Sequence, residues 1–293
     1  MKSKQSKALK LLKGRFQGQK WAIIGATGWV GSNLVQFARD FEVDFELFGS
    51  SSRIQEVAGI KSQIHSYDAT KVIESDYDFI WDCAFVTRDQ LLSNPARASQ
   101  NENLIENLKT ILRENTFGRL VYFSSGATIS PGLSEETYGK QKSEAENLIK
   151  ESAVYRSIDA LIMRLWNVSG PHCTKRQEYA LTSMIDQALM EGQINIRSRN
   201  YLWRRFAALN DVFLAALLSP KETLELDSGG VLIEIRQLAK EIMKVLDMPV
   251  KIVDSLEEET HTVYASWSLK YELTLLNGGF EPSSINEQIL SSI

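Results

Sequence analysis

Two side chains in the stretch Tyr138-Gly139-Lys140-Gln141-Lys142 are spaced to share chemistry. A separation of four puts Tyr138 and Lys142 on one face of a helix. An ammonium beside a phenol favours the phenolate and lowers the phenol pKa. Such a tyrosine can pass a proton to or from a substrate oxygen while a hydride moves to or from the attached carbon. With 9 tyrosines in the chain the spacing also arises readily by chance, so its surroundings must decide. Just upstream, Phe123-Ser124-Ser125-Gly126-Ala127-Thr128 ends an apolar run in hydroxyls. Ser124 and Ser125 can polarise the same oxygen, or they can simply hydrogen-bond a strand end.

Hydride chemistry needs a carrier, and Gly25-Ala26-Thr27-Gly28-Trp29-Val30-Gly31 is a turn suited to one. Gly25 permits the tight turn, Gly28 lets backbone approach a pyrophosphate, and Gly31 lets helix pack closely on strand. Thr27, Trp29 and Val30 would then border the phosphates at a helix N-terminus, where free N–H groups and a partial positive charge favour anions. About 20 residues further on, NAD sites carry an acid for the ribose 2′-hydroxyl. Here the chain reads Gly49-Ser50-Ser51-Ser52-Arg53, with no acid. The hydroxyls of Ser51 and Ser52 and the Arg53 guanidinium suit a 2′-phosphate, so NADP is expected in preference to NAD. The alternative for Arg53 is a solvated turn that begins a helix.

The elements needed to position these groups follow from hydrophobic period. Strands are expected at 21–24, 43–48, 64–67, 79–85, 120–123 and 160–165. Helices are expected at 29–40, 103–114 and 135–152, with no run of hairpins between. Alternation of this kind predicts an α/β fold, a Rossmann-like doubly wound parallel sheet. Past about residue 170 the alternation weakens, and helical segments at 178–191, 211–218 and 234–246 suit a small lobe over the carboxyl ends of the strands. The organisation expected is a basic leader over 1–19, an NADP-binding domain over 20–170 with further core elements from the C-terminal part, and a mainly substrate-binding lobe over 171–293.

In this context the chain resembles the extended short-chain dehydrogenase/reductase family, in its sugar-nucleotide epimerase/dehydratase/reductase branch. Arg164-Leu165-Trp166-Asn167-Val168-Ser169-Gly170-Pro171 looks like that branch's Arg-x-x-Asn-Val-Tyr-Gly-Pro segment. Arg204-Arg205-Phe206-Ala207-Ala208-Leu209-Asn210-Asp211-Val212 is similar to its Arg-Asp-Phe-Val-His-Val-Asp-Asp-Val segment, and Gly279-Phe280-Glu281-Pro282 resembles its Gly-Phe-x-Pro ending. The resemblance implies that Tyr138 exchanges the proton and that Lys142 binds the nicotinamide ribose. It implies that Asp68 touches the adenine and Ala84 lines the cofactor. Thr87 and Asn167 would face the substrate, and Arg204 would hold a nucleotide-sugar diphosphate. Three positions depart from the pattern. Gly126 stands where the family has its catalytic serine or threonine, Ser169 replaces a tyrosine and Ala208 a histidine. Ser125, a backbone N–H or a water would have to replace the missing hydroxyl.

Composition narrows the remaining classes. A net charge of −4 argues against a general nucleic-acid binder. No apolar run is long enough for a membrane span. Cys83 and Cys173 make no disulfide framework, and with His65, His172 and His261 they are too few for a structural metal site, so a reduced cytoplasmic protein without metal is expected. Residues 1–20 carry seven bases and no acid; they read as a solvated, partly helical leader, or as a segment that rests on an anionic membrane surface or partner. The leading functional reading is an NADPH-dependent ketoreductase acting on a nucleotide-linked 4-keto sugar. An NAD(P)-dependent nucleotide-sugar epimerase is the alternative, and a non-catalytic NADP-binding sensor or scaffold is the alternative of another class. Segments 96–114 and 135–152 could form a homodimer interface, though packing on the sheet explains their apolar faces equally well.

Overall fold

A computed structural model describes residues 2–293, with side chains from Gln5 onward; the side chains of Lys2 and Lys4 in the basic leader lie outside the described residues. The chain opens with α1 (Lys2–Phe16), β1 (Lys20–Ile24), α2 (Trp29–Asp40), β2 (Asp44–Gly49), β3 (Arg53–Val57), β4 (Ile60–Ser66) and α3 (Ala69–Ile73). Next come β5 (Tyr77–Asp82), α4 (Arg88–Ser93), α5 (Ala98–Glu114), β6 (Phe117–Ser125), α6 (Thr137–Arg156) and β7 (Ala160–Leu165). Then follow β8 (Asn167–Ser169), α7 (Ala180–Glu191), β9 (Gln193–Ile196), β10 (Tyr201–Ala208), α8 (Leu209–Leu218) and β11 (Glu225–Asp227). The chain closes with β12 (Val231–Glu234), α9 (Ile235–Leu246), β13 (Lys251–Asp254), β14 (His261–Tyr264), α10 (Lys270–Asn277) and α11 (Ile285–Ser291).

Four consecutive residues of β1, Trp21 to Ile24, are fully buried, so this strand must be covered on both faces. It lies inside an eight-stranded sheet of order β11-β7-β6-β5-β1-β2-β4-β3. Every pairing is parallel except β3 on β4, which gives the expected Rossmann-like α/β architecture. On one face Trp81 stacks on Phe79 at 5.7 Å and on Phe123 at 6.2 Å, and Trp21 lies 5.2 Å from Trp81. Phe213 of α8 meets that row edge-on. On the other face Ala22, Ile24, Ile80 and Leu120 pack with Ile105 and Leu108 of α5 and Ala145 and Ile149 of α6. The order of strands reverses between β1 and β5, and a crevice opens there at the strands' carboxyl ends.

Beyond β7 a second, smaller sheet is centred on β10, with β12 antiparallel and β8 and β14 parallel to it. Its core, Ile185, Phe206, Leu238 and Ile242 among others, is separate from the two clusters of the main sheet.

Three features differ from the sequence expectation. The stretch after β2 is a hairpin, not a helix or a solvated turn: Arg53 begins β3, which pairs antiparallel with β4. Its two-residue turn uses Ala58 and Gly59, both at positive φ, and such a turn follows the twist of the strands. The helix at 209–218 belongs to the main sheet, because Val212, Phe213 and Ala216 are wholly buried against it. The leader is a docked helix, with Leu12 and Phe16 buried and Phe16 edge-on to Trp21 and Phe79.

Asp211, in the first turn of α8, is buried and its Oδ2 accepts a bond from the Ser283 N–H at 2.7 Å. Burial pushes its carboxyl up to about 6. Between the ordinary carboxylate value and about 6 the folded chain keeps a proton that the unfolded chain has lost, so stability falls as pH rises through that window. Asp211→Asn keeps an accepting oxygen and removes the charge. It should raise the unfolding free energy by about 1–3 kcal/mol at neutral pH and lose that advantage near pH 4. Denaturant titrations at the two pH values measure this; an advantage independent of pH would exclude it.

Candidate functional site

The glycine turn is built by close approach of backbones. Gly25 has φ +79°, and a Cβ there would lie 2.8 Å from the Ala84 nitrogen. A Cβ on Gly31 would stand 2.2 Å from the Gly25 carbonyl oxygen, so α2 could not start where it does. Gly28 caps α2, and the first amides of that helix, from Trp29 to Gly31, have no partner within it. The Trp29 indole is turned away from the turn: it donates to the Pro171 carbonyl at 2.8 Å and packs 4.4 Å from Tyr179. Val30 packs against the core. Thr27 borders a cavity of about 350 Å³ that the β3–β4 turn and residues 171–174 also line.

At the end of β2 the Arg53 guanidinium bonds the Ser51 hydroxyl at 2.8 Å and carbonyl at 3.1 Å, while its Nε bonds Gln55 at 2.7 Å. The Ser52 hydroxyl accepts from the Ser66 N–H at 2.8 Å. The loop after β4 carries Asp68, whose carboxylate caps α3 and accepts from the Thr70 amide and hydroxyl. Those two bonds hold its carboxyl below the usual range. Ala84 sits after β5, its N–H bonded to Asp82. Thr87 caps α4, with its amide and hydroxyl both given to the Gln90 side chain. That commitment makes Thr87 a helix cap.

Tyr138 and Lys142 share one face of α6, but their environments differ from the sequence expectation. Lys142 is buried and donates to the Phe123 carbonyl at 2.6 Å and the Tyr122 hydroxyl at 3.1 Å. Its ammonium lies 4.0 Å from the centre of the Phe85 ring. Burial pushes its pKa down, and the neighbouring Asp82 and Glu146 carboxylates oppose that. The Asp82 carboxyl, equally buried, is pushed up by the same desolvation. Tyr138 is not lowered by Lys142. Burial pushes it up to about 12, and the group that opposes this is the neighbouring Ser125 hydroxyl. Ser125 also accepts from the Ala127 N–H at 3.2 Å.

Ser124 points to the opposite face of the sheet from Ser125. Its buried hydroxyl donates to Glu146 at 2.6 Å, and Glu146 is paired in a fork with Arg164 at 2.8 and 2.6 Å. Ser124 is thus held in a structural network and not turned to the site. Asn167 donates to the Arg205 carbonyl at 3.1 Å, on the pairing of β8 with β10. Arg205 pairs with Glu272 at 2.9 Å. Arg204 is different: it is largely buried, its Nε has no hydrogen-bond partner, and burial pushes its pKa down.

Two groups that no motif announced complete the arrangement. Tyr264 of β14 stands beside Arg204 in register, and its hydroxyl faces Ser125. Ser125 is therefore met by one phenol from α6 and one from the smaller sheet. Trp166 packs edge-on to Tyr264 at 5.0 Å and covers Gly126 so tightly that a Cβ there would lie 2.5 Å from the indole. The indole occupies the space that a side chain at 126 would need. Sequence reading could not find Tyr264, because it reaches Ser125 only through the pairing of β14 with β10 across about sixty residues.

Residues 21–231 match the NAD dependent epimerase/dehydratase family, and the chain belongs to that family of short-chain dehydrogenase/reductase enzymes. Solved structures agree on the fold. An epimerase from Methanothermobacter thermautotrophicus superposes with a TM-score of 0.77 at 16% identity, over 97% of this chain and 94% of that one. A UDP-N-acetylglucosamine 4-epimerase from Methanobrevibacter ruminantium, in complex with UDP-N-acetylmuramic acid, gives 0.75 at 19% identity, over 94% and 97%. The ADP-L-glycero-D-manno-heptose-6-epimerase of Helicobacter pylori gives 0.74 at 15% identity, over 94% and 96%. No curated protein matches the chain by sequence. Among the described residues no helix is long and apolar enough to cross a membrane, and no group of His, Cys, Asp and Glu is placed to hold a metal ion.

The contact between residues 126 and 166 makes a direct prediction. Gly126→Ser, which puts back the family's hydroxyl, must displace Trp166 and should cost about 1–3 kcal/mol of stability. Combined with Trp166→Ala the cost should be less than the sum of the two single changes. A double-mutant cycle by denaturant unfolding checks this, and strict additivity would refute it.

Proposed function

We propose that this chain is a cytoplasmic NADPH-dependent ketoreductase that acts on a nucleotide-linked 4-keto sugar. The observation that carries the reading is the Ser125 hydroxyl, faced by Tyr138 of α6 and by Tyr264 of β14. A dinucleotide fits the turn beside it: a Cβ would close the cradle at Gly25 and Gly31, and the first amides of α2 have no partner in the helix. Arg53, pre-bonded to Ser51 in the acid-free stretch from Gly49 to Arg53 that follows β2, suits the 2′-phosphate that distinguishes NADP. A buried guanidinium without a carboxylate, as at Arg204, is favourable only when an anion meets it, and a nucleotide-sugar diphosphate provides one.

When bound, the nicotinamide cofactor supplies the hydride. Tyr138, protonated across the neutral range because of its burial, gives its proton to the carbonyl oxygen as the carbon is reduced, and a hydroxyl results. Ser125 orients Tyr138 and offers its own hydrogen bond to the same oxygen, in place of the side chain that Gly126 lacks. Lys142, fixed by Phe123 and Tyr122, keeps a cation under the site. Epimerisation is the second reading. The family and the epimerases among the similar structures favour it, and the same tyrosine would serve with a retained cofactor.

Nicotinamide absorbance with NADPH and a panel of nucleotide 4-keto sugars separates the readings. A reductase consumes one NADPH for each sugar reduced. An epimerase interconverts sugars with no net change, and a sensor binds the cofactor without turnover. Tyr138→Phe should lower turnover by about 10²–10⁴-fold with cofactor affinity retained. Arg53→Ser should weaken NADPH binding by about tenfold or more and leave NADH binding unchanged. Equal losses for both cofactors would refute the role given to Arg53.

A further inference from the structure

The second surface of interest lies far from the glycine turn, on α1 and α10. The face of α10 opposite its buried Tyr271 and Leu275 carries Leu269, Leu273 and Leu276, spaced at i, i+4 and i+7 and each more than half exposed. Trp267, 69% exposed, continues the stripe at the helix start. At 1.5 Å per residue the stripe is about 12 Å long. It meets α1 at its far end, where a Cβ on Gly279 would lie 3.3 Å from the Ala8 Cβ. One turn of α1 from that contact, Leu11 is 69% exposed.

Charge identifies the partner. Between Lys2 and Phe16 there are six bases and no acid. Lys7, Lys10 and Arg15 are exposed, and none has an acidic partner among the described residues. Lys270 adds a base at the start of α10. The acid of α10, Glu272, is turned inward to Arg205 and the Gly230 N–H, so the outward face carries no negative charge. The helix α1 itself is fixed by Leu12 and Phe16 in the core, so Lys7, Lys10 and Arg15 are displayed in a set orientation. Tryptophan and leucine flanked by bases is the composition of a surface that rests in a bilayer interface, with rings and alkyl chains among the acyl boundary and ammonium groups at anionic headgroups.

We propose that α1 and α10 together form a docking surface for an anionic lipid bilayer, and that the protein works attached to that surface without crossing it. A nucleic acid would use the bases and leave the leucine stripe in water. A second copy would use the stripe and leave the bases without partners. The reading is independent of the reaction at Tyr138.

The test is co-sedimentation of the full chain with vesicles of phosphatidylcholine, alone or mixed with phosphatidylserine. Binding is expected only to the mixed vesicles and should fall steeply with salt. Trp267→Ser with Leu273→Ser, and separately Lys7→Glu with Lys10→Glu, should each lower partitioning by about tenfold or more. All four positions are exposed, and unchanged thermal unfolding of both variants confirms that the fold is intact. No binding to mixed vesicles would overturn the proposal, as would binding by either variant equal to that of the unaltered chain. It would also be overturned by a dimer in sedimentation analysis that the Trp267 and Leu273 changes dissociate, or by salt-sensitive binding to a duplex oligonucleotide that those changes leave intact.

Discussion

The geometry at the centre of this protein depends on how closely Gly25 stands to Ala84. The two backbones touch where the strand order reverses, and no side chain can come between them. That contact brings the turn after β1 against the segment after β5. It places the free end of α2 beside Phe85, and therefore beside Lys142 and Tyr138. The glycine turn and the pair Tyr138 and Lys142, distant in sequence, are brought to one end of the sheet because one peptide unit fits against another.

A buried ionic network keeps α6 in register with the sheet. Arg164 of β7 holds Glu146 of α6 in a fork and reaches Glu225 of β11, while Ser124 and Thr128 add hydroxyls to the same carboxylate. Removing one partner from such a set leaves a buried charge, and about 3–5 kcal/mol is the usual consequence. The network sits on the side of β6 away from Ser125, so it fixes α6 without competing for the hydroxyl that the two phenols face.

Much of this was legible in the amino-acid sequence for a physical reason. Glycines at fixed spacing between a buried strand and an amphipathic helix leave few alternatives, and the sheet and its cofactor turn follow from them. The β3–β4 hairpin was hidden because its turn uses Ala58 at positive φ, where asparagine or glycine is the usual signal. The placement of α8 was hidden because an all-round apolar helix shows no preferred face. Gly126 looked like a missing catalytic group. Its meaning lies in Trp166, forty residues away in the chain, and only packing connects the two. The expected pull of Lys142 on Tyr138 failed for a related reason: spacing along a helix sets direction, but the partners a side chain meets set its charge state.

The bond from the Trp29 indole has a mechanical consequence. Pro171 follows β8 of the smaller sheet, and its carbonyl oxygen accepts from both Trp29 and Asn33 of α2, at 2.8 and 2.7 Å. Gly170 before it donates to the Ser292 hydroxyl, and Arg176 beyond it reaches the Ser292 carbonyl. The crossover is therefore clamped from both ends of the chain, by the helix that follows the glycine turn and by the last residues. A lobe tied in this way has no free pivot at residue 170. Any opening must take the form of bending within the lobe or sliding of α2, and α2 is the element whose first turn carries the unpartnered amides. Opening of the lobe and placement of those amides thus become a single degree of freedom.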